Sequence, residues 1–252
     1  MQTSATRRVA FVTGASTGIG MATALRLADE GYDLAIAALS DGSLEETATA
    51  LREKGAKVSS CYFDMRDVAA CVAALDQAID ALGRIDLLVN NAAVPLLRAA
   101  MDVSEEDWDW LMDANLKGAF FLAQAVARRM KEAGHGGSIV NIASTHGITA
   151  LKDRSTYGIA KAGMIHMTRC MAVEWAELDI RVNCVAPATI STPSREASLA
   201  DPQKKKFMIG RIPLGRFGTS EEVAAAVAYL AADDAGFVTG HTLVLDGGLT
   251  AI

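Results

Sequence analysis

Tyr157 and Lys161 stand four residues apart in STYGIAKAG, a stretch with helical character. Residues at i and i+4 share one face of a helix, so a phenol and an ammonium can project into a single pocket. A free tyrosine loses its proton near pH ~10, and a neighbouring cation favours the phenolate. A tyrosine tuned in this way can exchange a proton with the oxygen of a carbonyl or an alcohol. Taken alone, such a pair is most often a surface accident, so its setting decides what it means.

Three other stretches supply that setting. TGASTGIG, Thr13 to Gly20, follows the apolar run Val9–Val12 and opens a helical pattern. There Gly14 can turn the chain sharply, Gly18 leaves the backbone open to a pyrophosphate, and Gly20 lets helix and strand pack closely. The N–H groups at the start of the helix then bind the phosphates. The spacing is Gly-x3-Gly-x-Gly rather than G-x-G-x-x-G, so this turn alone also fits a tight strand–helix connection with no ligand. NIAST, Asn141 to Thr145, closes a fifth strand and puts Ser144 at its carboxyl end, where its hydroxyl can donate to a substrate oxygen. NNAA, Asn90 to Ala93, closes a fourth strand at the same edge. Doubly wound sheets bind ligands at that edge.

The elements that must hold these residues alternate between strand and helix. Strands are expected at Arg8–Thr13, Asp33–Ala38, Lys57–Phe63, Asp86–Asn90, Ser138–Ala143, Ile180–Val185 and Thr242–Leu245. Several are continuous apolar runs, as strands covered on both faces require. Helices are expected near 18–30, 43–54, 67–82, 105–132, 155–177 and 220–232. Ser104 and Ser220 precede acidic pairs and read as N-caps, and Gly31, Gly55, Gly83 and Gly134 read as helix exits. The pattern predicts an α/β chain: one Rossmann-type domain over residues 1–252, with a doubly wound, seven-stranded parallel sheet and helices on both faces. The polar, weakly periodic segment at about 189–218 reads as a functional lid.

Composition narrows the function classes. The chain has 252 residues, is 51% hydrophobic and carries a net charge of −6, which argues against a general affinity for nucleic acid. Lys204–Lys206, the densest basic run, reads first as a solvated face and second as a contact for an acidic partner. Cys61, Cys71, Cys170 and Cys184 show neither a metal-binding spacing nor a disulfide framework, and fit reduced residues of a cytoplasmic protein. The N-terminal residues lack the apolar stretch of a signal peptide. The most apolar run without a charge or a strongly polar side chain, Val223–Ala232, is too short to span a bilayer.

TGASTGIG, NNAA, NIAS, YGIAK, RVNCVAPATISTP and TGHTLVLDGG, in this order and at these distances, resemble the classical short-chain dehydrogenase/reductase family from about Arg8 to Leu249. ALSDG and RIPLGRFGTSEEVA resemble its β-ketoacyl-reductase-like branch. The resemblance implies an NAD(P)-dependent oxidoreductase that moves a hydride between a nicotinamide and a carbonyl or secondary alcohol. A 3-oxoacyl-type ketone is the first substrate reading, and a sugar or polyol is the alternative. A non-catalytic dinucleotide-binding regulator is the reading from another class, and the presence of both Tyr157 and Lys161 speaks against it.

The resemblance also assigns roles. Tyr157 is implied to be the general acid/base. Lys161 would hold the nicotinamide ribose and favour the phenolate, and Ser144, thirteen residues before Tyr157, would orient the carbonyl. Asn115, in MDANLKG, would support a water linking Lys161 to solvent. The dinucleotide would lie along Gly14, Ser16, Thr17, Gly18, Ile19 and Gly20, and against Leu39 and Ser40 after the second strand. Asp64 and Met65 would meet the adenine, and Asn91, Ala92 and Ala93 the ribose and nicotinamide side. Pro187, Ile190 and Thr192 would meet the carboxamide. Ala93 and Ala188 stand where the family usually has glycine. No acid stands at about Ala38, where NAD-using members bind the adenosine ribose, and Thr17 replaces the basic residue common in NADP users. The missing carboxylate leaves room for a 2′-phosphate with Ser40 as donor, which favours NADP over NAD. His146 and Arg154, in THGITALKDRST, join Ser144 and Tyr157 as residues expected to border the substrate. The resemblance further implies a homotetramer built on helix faces near 105–132 and 155–177 and on the C-terminal strand.

Overall fold

Continuous apolar runs make strands that need cover on both sides, and the chain provides it. The computed structural model describes residues 7–193 and 200–251; residues 194–199, part of the expected lid, lie outside the described residues. The strands are β1 (Val9–Thr13), β2 (Asp33–Ala38), β3 (Val58–Tyr62), β4 (Leu87–Asn90), β5 (Gly137–Ile142), β6 (Ile180–Pro187), β7 (Ile190–Ser191), β8 (Gly218–Thr219) and β9 (Thr242–Leu245). Seven of them form one parallel sheet in the order β3-β2-β1-β4-β5-β6-β9. The helices are α1 (Gly18–Asp29), α2 (Glu45–Glu53), α3 (Val68–Leu82), α4 (Glu105–Met112), α5 (Gly118–Glu132), α6 (Ser155–Trp175), α7 (Pro202–Gly210) and α8 (Ser220–Ala231).

Alternation along β1 shows the two layers. Phe11 and Val9 pack with α3, α5 and α6 residues such as Leu75, Leu122 and Met164. Ala10 and Val12 point the other way, toward Leu27, Leu51 and Val227 of α1, α2 and α8. The fold is the expected single-domain, Rossmann-type doubly wound sheet. Strand order reverses between β1 and β4, which opens a crevice at their carboxyl ends.

Three features differ from the sequence expectation. The helix expected over 105–132 is interrupted by a π-helical turn, Asp113–Lys117. A wider turn of this kind cannot be told from α-helix by apolar spacing, and such turns are frequent at functional sites. The cap of α8 is Thr219 rather than Ser220: its hydroxyl accepts from Glu222 N, and the Glu222 carboxylate accepts from Thr219 N. Ser220 is instead the first helical residue. Finally, the segment around the expected lid contains α7 and a two-stranded ribbon, in which Ile190 pairs with Gly218 and Ser191 with Thr219. Ser104, by contrast, caps α4 as expected, in a reciprocal arrangement with Asp107.

Candidate active site

The glycine turn sits where β1 meets α1, at the mouth of the crevice. Gly14 has φ +65, and a Cβ there would lie 2.9 Å from Ala92 Cα. A Cβ on Gly20 would collide with the Gly14 carbonyl oxygen. Gly18 has φ +59 and faces Thr192, whose Cγ2 would be 3.3 Å from a Cβ on it. Thr17, extended before α1, gives no side-chain cap bond, so the first-turn N–H groups keep their capacity for an anion.

Hydrogen bonds lock this turn to the end of β4. Thr13 Oγ1 accepts from the N–H groups of Asn91 and Ala92, each at 3.0 Å. Asn91 Nδ2 donates to Thr13 O at 2.9 Å and to Gly14 O at 3.0 Å. Both amide hydrogens of Asn91 are therefore engaged in bracing the turn. The adjoining cleft, about 250 Å³, is lined by Gly14, Ser16, Leu39, Asp64, Met65, Ala92 and Ala93 from the expected set. Ala37, Phe63, Val94 and Ala114 line it too and were not singled out from sequence. Their position at or just beyond the ends of β2, β3 and β4, or on the π turn, was the available signal. Arg66 holds Asp64 by side-chain hydrogen bonds of 2.6 to 3.1 Å, which lowers its carboxyl pKa.

The chemical groups converge from β5 and α6. Ser144 begins a 3-10 turn, Thr145–Gly147, and its Oγ accepts from His146 N at 3.2 Å. Lys161 is buried; its Nζ donates to Ile142 O at 2.7 Å and lies 5.8 Å from the centroid of the Tyr157 ring. Burial pushes its pKa from 10.5 down to about 8. The His146 and Tyr157 rings meet edge to face, 6.1 Å apart at 75°. Asn115, on the π turn, is fully buried, with Oδ1 accepting from Val94 N at 2.7 Å and Nδ2 donating to Val94 O at 2.9 Å. Arg154 Nη1 donates to Leu96 O at 3.2 Å, tying the loop before α6 to the chain after β4.

Behind Lys161 runs a buried amide chain that sequence reading missed. Asn90 Nδ2 donates to Asn141 Oδ1, and Asn141 Nδ2 donates to Thr168 Oγ1, each at 2.9 Å. Thr168 in turn donates to Met164 O at 2.9 Å. This chain joins β4 and β5 to the helix that carries the Tyr–Lys pair. Cys184 is buried, and desolvation raises its thiol to about pKa 11, which makes it inert.

A family model described as enoyl-(acyl carrier protein) reductase matches residues 14–250. The chain belongs to the short-chain dehydrogenase/reductase family. It is 40% identical to the (2S)-[(R)-hydroxy(phenyl)methyl]succinyl-CoA dehydrogenase subunit of Thauera aromatica, over 96% of each chain. It is 38% identical to a 3-oxoacyl-[acyl-carrier-protein] reductase of Thermotoga maritima, over 96% of this chain and 97% of that one. A provisional 2-deoxy-D-gluconate 3-dehydrogenase of Agrobacterium tumefaciens, solved with bound NADP, superposes with a TM-score of 0.90 at 39% identity over 97% of each chain.

As a short-chain dehydrogenase/reductase, the protein is an NAD(P)-dependent oxidoreductase of CH–OH/carbonyl substrates. The two alanines that replace family glycines cause no backbone strain, because neither Ala93 nor Ala188 has a positive φ. The residues present fit a dinucleotide: a side chain added at any of the three turn glycines would fill the cradle or strain it. Among the described residues no cluster of His, Cys, Asp and Glu could hold a metal ion, and no helix is long and apolar enough to cross a membrane.

Proposed function

We propose that this short-chain dehydrogenase/reductase reduces a 3-oxoacyl-type ketone, with Tyr157 as the general acid. The observation that carries the acid/base assignment is the buried Lys161 ammonium beside the Tyr157 ring, one turn along the same helix. When bound, the nicotinamide supplies the hydride. Tyr157 gives its phenolic proton to the carbonyl oxygen, and takes one in the reverse direction. Lys161 favours the ionised phenol by its charge and would hold the ribose of the bound dinucleotide. Ser144 accepts from His146 N, which leaves its own O–H to donate to the substrate oxygen. Asn115 has its side chain on Val94, so its support for a water falls to its main chain on the π turn.

Gly14, Ser16, Thr17, Gly18, Ile19 and Gly20 would hold the pyrophosphate. Leu39 and Ser40 would meet the adenosine ribose, and Asp64 and Met65 the adenine. Ala92, Ala93 and the Asn91 backbone would line the nicotinamide side, with Pro187, Ile190 and Thr192 at the carboxamide. β2 ends at Ala38 with no acid, which favours NADP; the NADP-bound relative supports this. His146 and Arg154 would border the substrate. The thioester substrates named for two relatives support the 3-oxoacyl reading. A sugar or polyol substrate is the second reading, favoured by 2-dehydro-3-deoxy-D-gluconate 5-dehydrogenase of Escherichia coli at 37% identity.

A homotetramer fits the outer faces of α5 and α6. A groove of about 860 Å³ there combines Phe120, Phe121 and Trp175 with Lys117, Arg128, Lys131, Glu174 and Glu177. Such a mixed, self-complementary face suits pairing with a second copy. Four free cysteines support a reducing, cytoplasmic setting.

The test is to titrate NADH and NADPH separately, then follow nicotinamide absorbance with 3-oxoacyl thioesters, sugar acids, polyols and simple ketones. Tighter NADPH binding and fastest turnover of a 3-oxoacyl thioester are expected. Dinucleotide binding with no turnover across the panel would leave a regulator instead.

A further inference from the structure

We propose that His146 is a positioning residue for Tyr157: its imidazole, set against the phenol ring, fixes the swing of that ring and so the aim of its hydroxyl. This inference rests on the reading of Tyr157 as the acid/base.

The backbone around His146 has little freedom. Its N–H is held by Ser144 Oγ at 3.2 Å, and the next N–H, of Gly147, donates to Ser144 O at 2.9 Å. Its carbonyl oxygen occupies the space beside Gly158, where a Cβ would come within 2.9 Å of it. A Cβ on Gly147 would lie 2.7 Å from the Lys161 carbonyl carbon. The Ser144–Gly147 turn is thus docked flat on the first two turns of α6, between Tyr157 and Lys161, and two glycines make that approach possible. From this fixed base the imidazole meets the Tyr157 ring at 6.1 Å and 75°, the edge-to-face geometry that aromatic pairs prefer.

The place of Tyr157 in the helix makes this ring contact matter. It is the third residue of α6, so it lacks the full preceding turn against which a helical side chain packs. Rotation about its Cα–Cβ bond swings the hydroxyl bodily, whereas rotation of the ring about its own axis leaves the oxygen in place. Lys161 Nζ, 5.8 Å from the ring centroid, is a point charge that constrains the tilt of the ring weakly. The imidazole ring, at 75° to the phenol, is an extended contact that constrains it more strongly. The same turn carries Ser144, so one rigid unit sets both hydroxyls that would meet the carbonyl oxygen.

The test uses the full-length protein and the carbonyl compound reduced fastest in the panel above. His146→Ala is expected to lower kcat about tenfold, since small misplacements of a reacting group are costly. The NADPH Kd, read by fluorescence, should stay within about twofold, Tm should be little changed, and KM, which a residue bordering the substrate also affects, should rise by less than kcat falls. His146→Phe keeps an aromatic ring at this position and should return kcat to within about threefold of wild type. Wild-type kcat in the alanine variant overturns the proposal. So does a phenylalanine variant as slow as the alanine one, since the role would then lie in the imidazole nitrogens. If the alanine variant fails to fold, the phenylalanine variant decides alone. Unimpaired turnover by Tyr157→Phe, or no turnover of any compound by wild type, overturns the acid/base reading itself and this inference with it.

Discussion

Lys161 Nζ lies 5.8 Å from the centre of the Tyr157 ring and donates to a main-chain carbonyl, that of Ile142, at 2.7 Å. None of the ion pairs among the described residues includes this ammonium, and it is 2% exposed. A charge held in this way opposes folding, because desolvation disfavours the protonated form. Its retention in the core is the trade of stability for activity expected where a site needs a charge away from water.

The stability of the free protein should therefore carry a signature of Lys161. In the folded state its proton leaves near pH 8, and in the unfolded chain near 10.5. Between these values the unfolded state binds more protons, so stability from this group rises with pH across that window. Below about pH 8 the full penalty is present. Urea midpoints of wild type and Lys161→Met, compared from pH 7 to 10.5, should show wild type gaining on the variant by on the order of 1–3 kcal/mol. A difference independent of pH would mean that the lysine is not held as described. Turnover should fall at least about a hundredfold in the variant.

Capping separates Thr219 from its neighbour. Thr219→Ala removes the acceptor for Glu222 N and should cost about 1 kcal/mol. Ser220→Ala removes no cap and should cost clearly less. Thr219 also pairs with Ser191 through the main chain, a pairing that the substitution keeps, so the loss reports the cap. Thermal unfolding of the two variants checks both the order and the size of the effects.

Two substitutions probe the turn in opposite directions. Gly20→Ala drives a methyl into the Gly14 carbonyl and should abolish dinucleotide binding with a loss of about 1–3 kcal/mol in stability. Ala93→Gly restores the usual family residue, yet the backbone there needs no positive φ. It should leave NADPH affinity within about twofold and lower stability slightly through added chain entropy. Calorimetric titration of both variants measures this.

Much of the fold was legible because it rests on patterns that sequence carries openly. The seven strands of the main sheet fall within two residues of their expected ends, because β-rich apolar runs bounded by glycines leave few alternatives. Gly31, Gly55, Gly83 and Gly134 all adopt positive φ at helix exits, as their placement implied. The π turn around Asn115 was hidden because its spacing imitates α-helix. The ribbon of Ile190–Ser191 with Gly218–Thr219 was hidden because two-residue strands leave no periodicity. At the site, residue types and spacing disclosed the Tyr157–Lys161 pair and the glycine turn. They did not disclose that the Asn91 side chain braces the turn, or that Asn90, Asn141 and Thr168 form a buried chain. Those facts depend on which strand lies beside which.

The end of β2 should decide between the two dinucleotides. Ala38→Asp places a carboxylate where a 2′-phosphate would lie, repelling it and offering acceptors to a ribose diol. NADPH affinity should fall at least about tenfold while NADH affinity rises. Fluorescence titration of both reduced dinucleotides against wild type and variant gives the ratio directly. An unchanged ratio would place the selecting contact elsewhere.

The most direct measurement is turnover by Tyr157→Phe beside its affinity for NADPH. Deleting one phenolic oxygen leaves the ring, the His146 contact and the Lys161 charge in place. The expected result is a kcat at least about a thousandfold lower with a dissociation constant for NADPH within about threefold of wild type. Ordinary turnover by that variant would contradict the account, since the proton would then come from a group other than Tyr157.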